Sequence, residues 1–154
     1  MARKRFGPGS VMAIELETGQ YAYGLIRNYI QVSYFKLITE QIILDLESIV
    51  ESEVLFSVST CETAFKKWTK IGQVELSNEM EKYLVTFMQS DTNLERCRIS
   101  NENGDEYNAT PEECIGLERA SVWRAVHVEE RILDEIAGRT NKYVESQKVK
   151  LTRH

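Results

Sequence analysis

The order of apolar and polar positions places strands first and the main helix last. The clearest stretch is residues 11–26. With a two-residue turn at Thr18-Gly19, Leu16 faces Tyr21, Ile14 faces Tyr23 and Met12 faces Leu25. Side chains alternate faces along a strand, so this register gathers those six large apolar residues on one side. Glu15, Ala22, Ala13 and Gly24 fall on the other. Gly19 supplies the positive φ that a tight turn needs. A three- or four-residue loop would shift the register, and the sequence leaves that alternative open.

Further strands are predicted over residues 29–37, rich in aromatic and β-branched residues, and over 54–59, 68–73 and 83–88. Residues 96–100 and 105–108 flank Asn103-Gly104, a strong turn dipeptide, and read as a second hairpin. Ile42, Leu46, Ile49 and Val50 fall at helical spacing after a Thr39 cap, although residues 42–46 also suit a strand; a short helix ending near Val50 is the preferred reading. Residues 60–67 suit one helical turn, and 75–81 read as loop. Thr110-Pro111-Glu112-Glu113 is a helix start that Gly116 stops. Val128, Ile132, Leu133 and Ile136 form the stripe of a longer helix capped by Gly138, with Glu129, Glu130, Arg131, Asp134 and Glu135 mostly outside it. Val122, Ala125 and Val126 extend that stripe backwards, or Val122-Trp123 forms a last strand. The predicted fold is α+β and β-rich: a curved antiparallel sheet or partial barrel packed by a C-terminal helix and one or two short helices.

The length of 154 residues fits a single domain, 1–154, with a folded body over 6–138 and basic, mobile ends at 1–5 and 139–154. Cys61, Cys97 and Cys114 are an odd number at wide spacing, which argues for reduced thiols in a cytoplasmic protein. No apolar run reaches membrane-spanning or signal-peptide length. Charge changes the picture more. Of 19 basic and 24 acidic side chains, eight basic and one acidic lie in the two ends, leaving 11 and 23 in residues 6–138, a net of −12. Such a body repels nucleic acid and attracts basic partners. The basic clusters in 3–5 and 148–153 lack interleaved aromatics, so a nucleic-acid-binding domain is not expected.

Candidate chemistry is sparse. Phosphate-cradling, nucleophile-elbow and zinc-protease motifs are absent from the sequence. A Cys114–His127 nucleophile and base, oriented by Glu118 or Glu130, is conceivable, but a buried structural cysteine and a boundary histidine are the commoner reading. Acidic pairs such as Asp45/Glu47, Asp105/Glu106, Glu112/Glu113 and Glu129/Glu130 lack calcium-loop spacing. No cofactor or metal is expected.

One series of short motifs goes further. Gly9, then Val11-Met12-Ala13-Ile14-Glu15-Leu16, then Gly19, Tyr21, Tyr23 and Gly24 are followed by Phe56-Ser57-Val58, by Trp68 with Ile71-Gly72, and by Glu118, Val122-Trp123 and Glu130-Arg131-Ile132. The series, spanning about residues 6–138, resembles the immunity protein 26 family of bacterial polymorphic-toxin systems. The resemblance makes Gly9, Ile14, Leu16, Gly19, Tyr21, Tyr23, Gly24, Trp68, Ile71, Gly72, Trp123 and Arg131 scaffold residues. It implies a cytoplasmic, non-enzymatic antitoxin that binds a secreted or contact-delivered toxin domain encoded beside it. Many such toxins are nucleases, whose basic surfaces suit an acidic inhibitor. Residues 38–53 and 89–108 depart from the family pattern, and their acidic residues Asp45, Glu47, Glu51, Glu53, Asp105 and Glu106 are the partner-binding candidates. The competing expectations are a small β-barrel adaptor and a Cys/His enzyme.

Overall fold

The computed structural model describes residues 6–151; the basic cluster in residues 1–5 and the last three residues lie outside the described part. The first five strands are β1 (Ser10–Glu15), β2 (Tyr21–Ile26), β3 (Gln31–Phe35), β4 (Val54–Thr60) and β5 (Thr69–Gln73). The next five are β6 (Thr86–Gln89), β7 (Cys97–Ser100), β8 (Glu106–Ala109), β9 (Glu118–Arg119) and β10 (Val122–Trp123). The helices are α1 (Leu46–Val50), α2 (Glu62–Lys67), α3 (Asn78–Glu81), α4 (Ala125–Ala137) and α5 (Lys142–Gln147), with a 3₁₀ turn at Glu112–Cys114. The strands form a six-stranded sheet in the order β10-β4-β3-β2-β1-β5 and a four-stranded sheet in the order β8-β7-β6-β9.

The α+β, β-rich class is as the sequence predicts, but the antiparallel pairing is incomplete and no barrel closes. β10 runs parallel to β4, and β9 parallel to β6, so each sheet is mixed at one edge. Only two residues separate β9 from β10, and this short link sews the two sheets together.

The predicted register of the first hairpin is corrected by one residue. Met12 lies opposite Gly24, Ala13 opposite Tyr23 and Ile14 opposite Ala22. The loop holds three residues, Glu17, Thr18 and Gly19: the Leu16 amide bonds to Gln20 O at 2.8 Å and the Gly19 amide to Leu16 O at 2.9 Å. Gly19 has φ +86°, the left-handed residue that closes this type of loop. The β7–β8 hairpin repeats the device, with Asn101 and Asp105 in the flanking roles and Gly104 at φ +82°.

A one-residue shift divides the apolar set between faces. Met12, Ile14, Leu16, Ala22 and Ile26 join Tyr34, Phe56, Trp68, Trp123, Val128 and Ile132 in an inner core under α4. Val11, Ala13, Tyr23 and Leu25 face the opposite way with Phe35 and Ile49. Both faces of the hairpin are therefore buried, rather than one face carrying all the large apolar residues.

Arg131, expected outside the helical stripe, is the second correction: it is 3% exposed. Its guanidinium makes a two-pronged contact with Glu118, at 3.1 and 2.7 Å, and a third bond to Glu135 at 3.0 Å. Phe56 and Trp123 flank it, with ring centroids 4.0 and 5.0 Å from Cζ. A planar, always-charged fork suits this mixture of carboxylate and aromatic partners, which an ammonium could not satisfy. Glu118 is on β9, Trp123 on β10, Phe56 on β4 and Glu135 on α4, so one side chain fastens the helix to both sheets.

The C-terminal segment, expected to be mobile, packs against the body as far as it is described. Asn141 caps α5 through Tyr143 N and Val144 N and bonds Asp134. Arg119 reaches Gln147 O at 3.0 Å, and the Gln89 side-chain amide exchanges two hydrogen bonds with the Lys150 backbone.

Replacing Arg131 with Met should cost about 2–4 kcal/mol, below the range for a fully buried pair because both carboxylates keep some hydration. Arg131→Lys should recover less than half of that loss. Urea denaturation of the three proteins checks both.

Candidate partner-binding surface

The outer face of the six-stranded sheet is covered by chain rather than by a long helix. Leu37, Ile43, Leu46 and Val50 from one segment, and Val74, Leu76 and Met80 from another, pack over Val11, Tyr23, Leu25 and Phe35, with Ile71 of the edge strand β5 beside them. Tyr23 pins the first segment: its hydroxyl bonds Thr39 Oγ1 at 2.6 Å and accepts from Ile43 N at 3.0 Å. Thr39, predicted to cap the helix, is thus held in a bridge to Tyr21 instead. The helix starts later, where Asp45 accepts from Ser48 N at 3.3 Å.

Five residues are too few for a helix to hold itself in water, and a cap contributes only about 1 kcal/mol. Packing decides. Ile49 is fully buried, and Leu46 seats against Gly72, where any Cβ would stand 2.4 Å from Leu46 Cδ1. Two of the predicted scaffold residues, Tyr23 and Gly72, therefore act by positioning the segment 38–53.

Asp45, Glu47, Glu51 and Glu53 are all exposed on this cover, with Glu47 and Glu51 one helical turn apart. None forms an ion pair among the described residues. Leu44, 70% exposed, stands immediately before them in the chain. Asp105 and Glu106 are placed elsewhere, at the β7–β8 turn and on the β8 edge, where Glu106 lies 3.6 Å from Arg98. The two predicted groups are not brought together directly.

The sequence reads the segment between them only as loop. Residues 75–81 contain α3, capped by Ser77. Arg27 donates to the carbonyls of Glu79, Met80 and Lys82 at 3.0–3.3 Å, and Gln31 Oε1 accepts from Leu84 N at 2.9 Å. These bonds carry the chain from the outer cover of the first sheet to the start of the second. The signal that could have found it is composition: residues 37–53 and 71–81 contain eight carboxylates and no Lys or Arg.

The remaining scaffold residues are structural in placement. Gly9 exchanges backbone bonds with Ile26 and Val74, and Ile14, Leu16 and Gly24 lie in the sheet interior. Trp68 packs edge-on to Tyr34, and its indole N–H donates to Glu129 on α4 at 2.8 Å, where Lys67 also lies.

The Cys114–His127 arrangement is not assembled. Cys114 is buried with Cys97, Phe87 and Ile99, while the His127 ring stacks on Tyr143 at 3.9 Å, and no hydrogen bond joins the two residues. Glu118 is committed to Arg131. Burial, with Cys97 beside it, pushes the Cys114 thiol up to about 11, away from nucleophilic use. Among the described residues no group of three or more His, Cys, Asp or Glu is placed to hold a metal ion, and no helix is long and apolar enough to cross a membrane.

Two outcomes follow. Gly72→Ala should destabilise by about 1–2 kcal/mol through Leu46, and Leu46→Ala in the same chain should remove most of the added cost, read as non-additivity in a denaturation cycle. Because the native Cys114 thiol keeps its proton above the ordinary value of 9.0, the unfolded chain ionises first. Stability should therefore be unaffected below that pH and fall between about 9 and 11. Burial raises Tyr34 as well, so Cys114→Ala should flatten only part of the slope in urea midpoints measured from pH 8 to 11.

Comparison with known families supplies an assignment for this scaffold. The sequence model of Immunity protein 26 matches residues 7–98, more than half of the chain, from the first loop to the start of β7. Curated proteins give no match, and neither do solved structures. The matched span contains β1–β5, α1 and the whole outer cover, and the chain belongs to the immunity protein 26 family.

Proposed function

We propose that this immunity protein neutralises a basic toxin domain, a nuclease, by laying the acidic cover of its six-stranded sheet over the surface that the toxin uses to hold nucleic acid. The observation that carries this reading is the composition of that cover: eight carboxylates without a basic residue, of which, among the described residues, Glu79 alone is ion-paired, with Lys82, on two segments most of whose apolar side chains pack onto the sheet. Their charge is therefore directed outward. Glu47, Glu51 and Glu53, unpaired at the surface, would stand in for phosphates, and Leu44 would supply apolar contact inside an acidic rim. Asp45 also caps α1, so its carboxylate has a structural share. Asp105 and Glu106 would extend the same contact on the second sheet.

Inhibition of this kind needs no catalysis and no cofactor, and it acts in the cytoplasm where the toxin's substrate lies. Attraction between an acidic cover and a basic cleft speeds association and weakens with salt. The partner is the toxin domain encoded by the neighbouring gene.

Co-expression with that toxin domain should restore growth of cells the toxin otherwise kills. The triple variant Glu47→Lys, Glu51→Lys, Glu53→Lys should slow association by on the order of 10–100-fold at low salt while leaving the fold intact. Stopped-flow binding against a catalytically disabled toxin domain checks it; unchanged rates would remove the acidic cover from the account.

A further inference from the structure

The turn between β2 and β3 carries a feature that packing does not explain. Tyr29 has φ +55°, the only positive-φ residue other than glycine among the described residues. A bulky side chain is a poor fit to that backbone, where Gly or Asn sits with less strain. The ring does nothing locally to offset it. It is 85% exposed, stacks on no aromatic and makes no hydrogen bond among the described residues. Strained, exposed residues of this kind mark sites whose use lies outside the fold.

The surroundings say what it meets. Asn28 bonds the Glu81 carbonyl and Gln31 bonds Leu84 N, so the turn lies alongside residues 81–84. There Tyr83, 46% exposed, rests against Gly104 of the β7–β8 turn and donates its backbone N–H to Glu102 O at 3.0 Å. Exposed Glu81, Glu102 and Asp105 stand on these same segments. The nearby cations are engaged: Lys82 pairs with Glu79 at 2.9 Å, and Arg27 is spent on backbone carbonyls. Two tyrosines among unpaired carboxylates attract one chemistry above others, a protein surface presenting arginine or lysine. The ring face binds the cation, and the carboxylates complement its charge.

We propose that Tyr29 and Tyr83 form an aromatic anchor for arginine or lysine side chains of the toxin domain, at the junction of the two sheets and continuous with the acidic cover through α3. The proposal rests on the toxin-binding reading above and adds to it the place where short-range affinity is concentrated. Acidic residues on the cover steer the encounter, whereas the tyrosines slow dissociation.

The test is calorimetric titration of the catalytically disabled toxin domain from the neighbouring gene into wild type, Tyr29→Ala, Tyr29→Phe, Tyr29→Gly and Tyr83→Ala, with thermal unfolding of each. Tyr29→Ala should weaken binding about 30-fold, and Tyr83→Ala about 10-fold, the scale of interface hot spots. Tyr29→Phe, which keeps the ring, should bind within about 3-fold of wild type. The distinguishing readout is Tyr29→Gly: its melting temperature should rise as the backbone relaxes, while its binding falls as far as in Tyr29→Ala. Equal binding by wild type and Tyr29→Ala overturns the anchor and leaves the toxin-binding reading standing. A lower melting temperature for Tyr29→Gly overturns it also, by showing that the ring serves the fold. Absence of binding by wild type overturns the toxin-binding reading itself, and the anchor with it.

Discussion

The register of the first hairpin is the constraint from which the surface follows. A three-residue loop closed by Gly19 places Ala13 opposite Tyr23 and Ile14 opposite Ala22, and so divides the apolar residues between two faces. A sheet that is apolar on both sides must be covered on both sides. α4 covers one with Val128 and Ile132, and the segments around α1 and α3 cover the other. The apolar residues of those segments are fixed by the sheet. Their outward residues are not, and there the charge accumulates.

The second half of the chain is held to the first through a few polar contacts of high consequence. Arg131 joins β9, β10, β4 and α4 in one buried cluster, and Glu129, one helical face away, receives Trp68 and Lys67. The family match ends at residue 98, before β9, β10 and α4. The matched part thus supplies all but one strand of the larger sheet, and the unmatched part supplies the inner cover and its clamp. Position of the second sheet relative to the outer cover is set by the Arg27 and Gln31 bonds to residues 79–84.

Most strands were legible from alternation, because β-branched and aromatic residues bounded by turn residues report backbone preference and burial together. Asn103-Gly104 marked its hairpin for the same reason that Gly19 marked the first, yet neither dipeptide states the loop length. Thr18-Gly19 suits two or three residues, and one residue decides which face Tyr23 takes. Arg131 was placed outside the helical stripe because periodicity treats every charge as solvent-seeking; its carboxylate partners include Glu118, 13 positions away, and no local pattern contains that pairing. The α1 cap was misplaced at Thr39 because Tyr23, remote in sequence, captures that hydroxyl. For the candidate surface, the individual carboxylates were visible and their arrangement was not. Asp45 to Glu53 lie on the cover of the first sheet and Asp105 and Glu106 at a hairpin of the second, and the acidic segment joining them reads as loop. Tyr29 reads in the sequence as the first residue of the third strand; its place in the turn before β3 and its positive φ are properties of the fold.

On the proposed reading labour is divided: buried residues set the shape, and the outer cover with the adjoining Tyr29 turn meets the toxin. Hydrogen exchange of the backbone amides, with and without the toxin domain, tests this directly because it reports the footprint without altering the protein. Protection confined to residues 40–53, 75–84 and 27–31 is the result the account predicts. Protection centred on α4 and α5, with the outer cover exchanging as in the free protein, would contradict it.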